Sequence, residues 1–117
     1  MRILLAVDGS GPSILAARFA RRLYREMKEA SIVVVHVGDD RAGAAEACAI
    51  LTEDDIAFEL EIGPGDPAQM IVERSQQHHC DLIVMGARGL GGVLRTLLGS
   101  VSTRVLQSSG VPVTLVS

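Results

Sequence analysis

Short apolar runs alternate with helix-like segments along the whole of this 117-residue sequence. Residues 3–7, 31–37 and 82–85 are almost continuously apolar, and turn-forming residues follow each run. Runs of this length are typical of parallel strands that are covered on both faces. Residues 57–62 alternate apolar with acidic side chains, which predicts a half-exposed edge strand, and a last short strand is predicted at residues 113–116.

Helix signals lie between these strands: after Ser10, at residues 42–52, from Asp66 to about His79, and at residues 97–107. Ser10 and Asp66 are typical N-cap residues, and each is followed by a proline in the first turn, where proline is tolerated. Strict alternation of strands and helices predicts an α/β protein. The expected architecture is a single doubly wound, open sheet of five parallel strands with helices on both faces, a Rossmann-like fold.

Apolar periodicity indicates which sides of the helices face the core. In the first helix the buried stripe is expected at Leu15, Phe19, Leu23 and Met27, which recur every four residues, with Ala16 and Ala20 beside them. In the second helix the inward positions are expected at Ala45, Cys48, Ala49 and Leu51. The first helix also carries arginines at positions 18, 21, 22 and 25. We expect them on its solvated outer face, because a formal net charge of −3 argues against a nucleic-acid partner.

Composition argues against secretion, membrane insertion and metal binding. The chain has only two cysteines, and their spacing fits neither a disulfide framework nor a zinc site, which favours a cytoplasmic protein. The apolar start is too short for a signal peptide, and no apolar run has the length of a membrane span. His78, His79 and Cys80 are adjacent, so at a helix end their side chains point apart and no metal site is expected. His36 is expected to be packed and hydrogen-bonded, and no catalytic residue is expected.

The segment after the third buried run carries the strongest signal of a binding site. Four glycines fall within residues 86–92, and the pair Gly99-Ser100 precedes an apolar helical pattern. Glycine lets a backbone approach a ligand closely, and a helix start offers free N–H groups to an anion. Arg88 or Arg95 can add positive charge. By itself the pattern also allows a flexible turn followed by a capped helix, and the sequence lacks both the P-loop and the complete G-x-G-x-x-G fingerprint.

The spacing Gly86-x2-Gly89-x9-Gly99-Ser100 matches the signature of nucleotide-binding universal stress proteins. The opening ILLAVDGS, the strand VVVHV and the stretch from residue 82 to residue 116 resemble the same family. The resemblance covers nearly the whole chain, and it implies one universal stress protein domain over residues 1–117 with strand order 3-2-1-4-5. The chain is shorter than is usual for the family between its second and third strands.

The resemblance implies a nucleotide site where the first and fourth strands end. Asp8 is expected at the ribose and the backbone of Val37 at the adenine, while the glycine loop and the helix start surround the phosphates. The expected nucleotide-binding residues are Ala6, Val7, Asp8, Val37, Met85, Gly86, Arg88, Gly89, Gly99, Ser100 and Val101. The implied ligand is ATP, or ADP or AMP, with Mg²⁺ as an optional companion of the phosphates.

The resemblance also implies a regulatory stress-response module that forms a homodimer through residues 113–116 and has no nucleic-acid or membrane partner. An apolar strand at the edge of a sheet favours such pairing. Two alternatives stay open: a slow ATPase or phosphotransferase, and an interaction protein that holds no nucleotide. Hydrolysis is expected to be absent or very slow, because Asp8 is the only well-placed carboxylate and is needed at the ribose.

Overall fold

Five parallel strands form one open sheet in the computed structural model, which describes residues 1–39, 41–88 and 98–117. The elements in chain order are β1 (Arg2–Ala6), α1 (Gly11–Glu26), β2 (Ser31–Val37), α2 (Ala42–Glu53), β3 (Phe58–Gly63), α3 (Pro67–Gln77), β4 (Leu82–Gly86), α4 (Ser100–Ser108) and β5 (Val113–Val116). The strand order is β3-β2-β1-β4-β5, and every neighbouring pair is parallel. The predicted α/β fold and strand order are therefore confirmed.

The central strands are buried on both faces of the sheet. Leu5 and Val34 pack towards α1 and α2, whereas Leu4 and Val33 pack towards α3 and α4. All four side chains are fully buried. Alternation follows from the strand pleat, which sends successive side chains to opposite faces. Burying one such side chain stabilises the fold by about 1.5–3 kcal/mol, so the two helical layers are held chiefly by these strands.

The buried side of α1 agrees with the predicted stripe only in part. Ala16 and Ala20 are fully buried as expected, but Leu15 is 40% exposed, and Ile14 and Ala17 complete the contact with the sheet. Phe19 and Leu23 are only partly buried, at the margin of this contact. The small alanines let the α1 backbone lie close to the sheet, so the larger residues are left at its sides. The arginine face is confirmed in outline, since Arg18, Arg22 and Arg25 are exposed.

The predicted phase of α2 is correct only in part, since Leu51 is buried and Cys48 packs against the core as expected. Ala45 and Ala49 are exposed, and the buried residues are Ala44, Ala47, Ile50 and Leu51. A helix this rich in alanine is apolar on most sides, so its sequence defines no narrow stripe. The two largest aliphatic residues, Ile50 and Leu51, set the side that faces the core.

β3 is the edge strand that the alternation predicted. Its apolar side chains pack on the core, and its two glutamates lie on the opposite side. Glu59 Oε2 is 3.2 Å from Arg2 Nη2, and Glu61 Oε1 is 2.9 Å from Arg74 Nε. His78, just beyond α3, contacts Glu61 through its Nε2 atom. This histidine therefore helps to hold the edge strand against the end of the helix.

The described ranges contain neither a cluster of metal-binding side chains nor a membrane-spanning helix. Residues 1–39, 41–88 and 98–117 contain no group of three or more His, Cys, Asp or Glu side chains that could hold a metal ion. Within the same ranges, no helix has both the length and the apolar character needed to cross a membrane.

Asp66 joins the start of α3 to α4. One carboxylate oxygen, Oδ2, accepts a hydrogen bond from the Gln69 N–H at 2.9 Å, which caps α3 as predicted. Both oxygens also accept from the Arg104 guanidinium, at 2.7 and 2.9 Å. The bonds from Arg104, and after them the N–H of Gln69, hold the pKa of Asp66 below its ordinary value.

Replacing Asp66 with Asn should give a pH-dependent loss of stability. Asn can still cap α3 but carries no charge for Arg104. Because folding lowers the pKa of Asp66, its stabilising effect is present above the ordinary value of 3.8 and is lost as the pH falls through the lower folded value. We expect Asp66→Asn to have the lower urea midpoint at pH 7. The two midpoints should converge as the pH falls below about 4.

The control is Glu53→Gln, which neutralises an exposed carboxylate at the end of α2. Its urea midpoint should follow that of the wild type across the pH range. A wild-type advantage over Asp66→Asn that stays constant down to acid pH contradicts the assigned role of the Asp66 charge.

Candidate functional site

The carboxyl ends of β1, β2 and β4 meet at one edge of the sheet. Ala6, the last residue of β1, is paired with Val35 of β2 on one side and with Met85 of β4 on the other. From β1 the chain builds the sheet first towards β3 and then, after α3, towards β5. The strand order therefore reverses between β1 and β4. Open α/β sheets bind ligands in the crevice at such a reversal.

Asp8 lies in a tightly hydrogen-bonded turn between β1 and α1. Its Oδ1 atom accepts from the Ser10 N–H at 2.9 Å, and Ser10 Oγ accepts from the Ser13 N–H at 3.3 Å, which caps α1. The backbone N–H groups of Asp8 and Gly9 both donate to Ser13 Oγ, at 3.3 and 3.2 Å. Gly9 has a φ of +85°, a conformation that favours glycine. The second carboxylate oxygen of Asp8 makes no hydrogen bond within the described chain, so it can accept from a ligand.

The start of α4 is tied to the end of β4. The Gly99 N–H donates to the carbonyl oxygen of Ala87 at 2.8 Å, and the Ser102 hydroxyl donates to the same oxygen at 2.7 Å. The Ala87 N–H donates in turn to the carbonyl oxygen of Val116, at 2.8 Å. These bonds place the first turn of α4 beside the carboxyl ends of β4 and β5.

The first turn of α4 has no side-chain cap. α1 and α3 are capped by Ser10 and Asp66, whereas the N-cap of α4 is Gly99, and within the described residues no side chain accepts from the N–H groups of this turn. The N–H groups of Ser100, Val101 and Ser102 donate to no residue in the described ranges. Free N–H groups and the positive end of the helix dipole favour an anion. The arrangement therefore suits a phosphate group.

The predicted site residues divide into three groups. Ala6, Val7 and Met85 are buried, with Ala6 and Met85 in the α3/α4 core and Val7 in the α1/α2 core. Four half-buried residues lie at the strand ends or just beyond them: Val37 and Gly86 end β2 and β4, and Asp8 and Arg88 follow β1 and β4. At the start of α4 are Gly99, Ser100 and Val101. Gly89 lies outside the described residues.

The fourth helix begins later than predicted. It starts at Ser100, and Leu98 is 47% exposed ahead of it. The predicted start at residue 97 lies outside the described residues.

Neither Gly86 nor Gly99 is required by an unusual backbone conformation. A Cβ atom on Gly86 would lie 2.8 Å from Pro12 Cβ and 2.9 Å from the Pro12 carbonyl carbon. Gly86 therefore allows the first turn of α1 to pack directly on the end of β4. Gly99 has φ −66° and ψ 160°, which any residue can adopt. The absence of a side chain at Gly99 leaves space for another group to approach the first turn of α4.

Ser13 and Ser102 shape this edge but were not selected from the sequence. Their hydroxyl groups are buried and bond to backbone atoms of the strand ends. Ser13 could have been selected from its position three residues after the N-cap of α1, where a hydroxyl can bond back to the preceding turn. The expectation for His36 is confirmed: it is 7% exposed, and its Nδ1 atom lies 2.9 Å from the carbonyl oxygen of Val7.

The fold is that of an α/β protein whose strand order reverses between β1 and β4. The model of the universal stress protein family matches residues 40–117. A universal stress protein of Methanocaldococcus jannaschii is 30% identical over 98% of this chain and 81% of its own length. The chain belongs to the universal stress protein family.

Solved structures agree with this assignment. The structure of the hypothetical protein MJ0577 has a TM-score of 0.83 and 25% identity, covering 98% of this chain and 94% of that one. A universal stress protein in complex with cAMP has a TM-score of 0.82 and 25% identity, covering 100% of this chain and 96% of that one. The M. jannaschii alignment is 138 positions long although this chain has 117 residues, so the relative contains segments that this chain lacks.

A methyl group at position 86 should disturb the contact between β4 and α1. We expect Gly86→Ala to destabilise the protein by about 1–3 kcal/mol, because the nearest atoms belong to the Pro12 ring and backbone and cannot move cheaply. Gly11→Ala is the matched control, since a Cβ atom there meets nothing within 4 Å. Urea unfolding followed by circular dichroism compares them. Equal stability of the two variants would contradict the tight contact.

Proposed function

We propose that this chain binds ATP across the carboxyl ends of β1 and β4 and acts as a regulatory module of the stress response. The observation that carries the proposal is the uncapped first turn of α4, which lies at the same sheet edge as the Asp8 carboxylate. The N–H groups of the α4 turn suit a phosphate, and the Asp8 carboxylate suits hydroxyl groups that donate hydrogen bonds. ADP and AMP share this chemistry and would occupy the same positions with fewer phosphates.

The polarity of the site sets the direction in which the nucleotide would lie. An ionised carboxylate only accepts hydrogen bonds, so Asp8 repels phosphate and suits the ribose hydroxyls. The α4 N–H groups and the Ser100 hydroxyl suit the phosphates. Arg88 follows the end of β4 by two residues and would add positive charge there. The adenine would then lie towards Val37 at the end of β2. The relative that was solved in complex with cAMP supports an adenine nucleotide as the ligand class.

A binding role is favoured over rapid phosphoryl transfer. Fast transfer needs a positioned metal ion, positive charge and a group that orients the attacking water. In this proposal Asp8 is engaged with the ribose. If Mg²⁺ accompanies the nucleotide, its oxygen ligands would come largely from phosphates and water, as is usual for this ion.

A branched side chain at position 99 should block the phosphates. In Gly99→Val the Cβ atom and its methyl groups stand at the N-cap of α4, while the backbone angles remain accessible to valine. We expect ATP affinity, measured by calorimetric titration, to fall at least about tenfold.

The matched control is Gly110→Val, at the far end of α4, where a Cβ atom meets nothing within 4 Å. This variant should bind ATP as the wild type does. Equal binding by both variants would overturn the phosphate position. A wild-type protein that binds no adenine nucleotide would overturn the proposed function and favour an interaction protein without nucleotide.

We also propose that two chains pair through β5, the edge strand opposite β3. The carbonyl oxygens of Pro112 and Val116 accept hydrogen bonds from the β4 side, at 3.0 and 2.8 Å. A parallel strand bonds to its neighbour through alternate residues. The backbone groups of Val113 and Leu115 therefore face the open edge. All four residues of β5 are only half-buried, which leaves apolar surface for a second copy related by a two-fold axis.

Proline at position 115 should separate the two chains without breaking the sheet. Leu115→Pro removes an edge N–H, while the bonds between β4 and β5 use the other residues of the strand. We expect the wild type to sediment as a dimer at micromolar concentration and Leu115→Pro as a monomer. Leu115→Val keeps the N–H and should stay dimeric. A wild type that is monomeric with and without ATP rules this interface out.

A further inference from the structure

His36 holds the end of β1 from the side of β2. Its Nδ1 atom is 2.9 Å from the carbonyl oxygen of Val7. Since a carbonyl oxygen only accepts, Nδ1 carries the proton and donates. The β1–β2 ladder itself ends near here, with the Val7 N–H bonded to the Val35 carbonyl at 3.0 Å. The histidine thus satisfies a carbonyl oxygen that would otherwise lack a partner beyond the strand.

The ring cannot swing away from this position. It is 7% exposed, and it fills the space between the end of β2 and the start of α2. A Cβ atom on Gly43 would lie 2.2 Å from Cε1 of the ring, and one on Gly38 would lie 3.0 Å from Nε2. The two glycines leave room for the ring, and α2 closes over it.

The same peptide unit is held at its other end by α1. The carbonyl group of Val7 and the N–H group of Asp8 belong to one planar peptide unit. His36 donates to its oxygen, and its nitrogen donates to Ser13 Oγ at 3.3 Å. With both ends held, the plane of this peptide is fixed, and so is the direction in which the Asp8 side chain leaves the backbone. The turn bond from the Ser10 N–H to Asp8 Oδ1 then fixes which carboxylate oxygen is left for a ligand.

We infer that His36 is a positioning residue that aims the Asp8 carboxylate and thereby sets selectivity for a ribose over a deoxyribose nucleotide. This inference rests on the proposed nucleotide site. His36 makes no contact with the sugar; it acts through the Val7–Asp8 peptide. Ser13 acts on the same peptide from the opposite side, so the two residues should give the same phenotype.

The experiment compares ATP with 2′-deoxyATP and 3′-deoxyATP by calorimetric titration. The wild type should prefer ATP by about tenfold or more over at least one deoxy analogue, and Asp8→Ala should abolish that preference. His36→Leu, which has no donor, should lower the preference to near unity, chiefly by weakening ATP. His36→Asn, whose amide N–H can replace the ring Nδ1–H, should restore most of it. A role in stability alone would weaken all three ligands equally.

Ser13→Ala keeps the test decisive if His36→Leu does not fold. It releases the Asp8 N–H from the other side and should also lower the preference for ATP. Ser75→Ala is its matched control, because Ser75 is equally buried but bonds to Val72 within α3. A wild type that binds no nucleotide overturns the proposed function together with this inference. A wild type that prefers ATP, with the same preference retained in His36→Leu or in folded Ser13→Ala, overturns this inference alone.

Discussion

Burial of β1 on both faces is the constraint on which the rest of the structure depends. Ile3, Leu4 and Leu5 are fully buried, so neither face of this strand can be left to water. Helices must then cover both sides of the sheet, and the chain must add strands on both sides of β1. The reversal of strand order between β1 and β4 is a by-product of that solution. The proposed nucleotide site would therefore use an edge of the sheet that the burial of apolar strands already requires.

The start of α4 lacks a stabilising interaction that a bound anion would supply. A side-chain cap is worth about 1 kcal/mol to a helix, and α1 and α3 both have one. α4 begins at a glycine without a cap, directly beside the strand ends. Its free N–H groups are a local loss in the unliganded protein and a binding surface for an anion. Local rules of helix design are commonly broken in this way at functional sites.

Features encoded within a few residues were predictable from the sequence. Strand positions followed from apolar runs, and the caps at Ser10 and Asp66 followed from residue type and a neighbouring proline. The buried sides of α1 and α2 were predictable only in part, because alanine is apolar on any side of a helix and the packing on the sheet decides which alanines are buried. The predicted helix at residues 97–107 includes Leu98, which in the structure precedes α4 and is exposed. The bonds from Ser102 to Ala87 and from His36 to Val7 join residues distant in sequence, and no local pattern records them.

The acidic side of β3 has a consequence for how copies of this chain can assemble. A sheet with two bare edges can add a strand at each, and such additions continue into an open fibre. Here one edge strand carries Glu59 and Glu61, held by Arg2, Arg74 and His78. A second chain brought to this edge would meet like charges in register, because its own β3 has the same two glutamates. In the proposed two-fold pair the two β5 edges would bond to each other, so strand addition would stop at two chains.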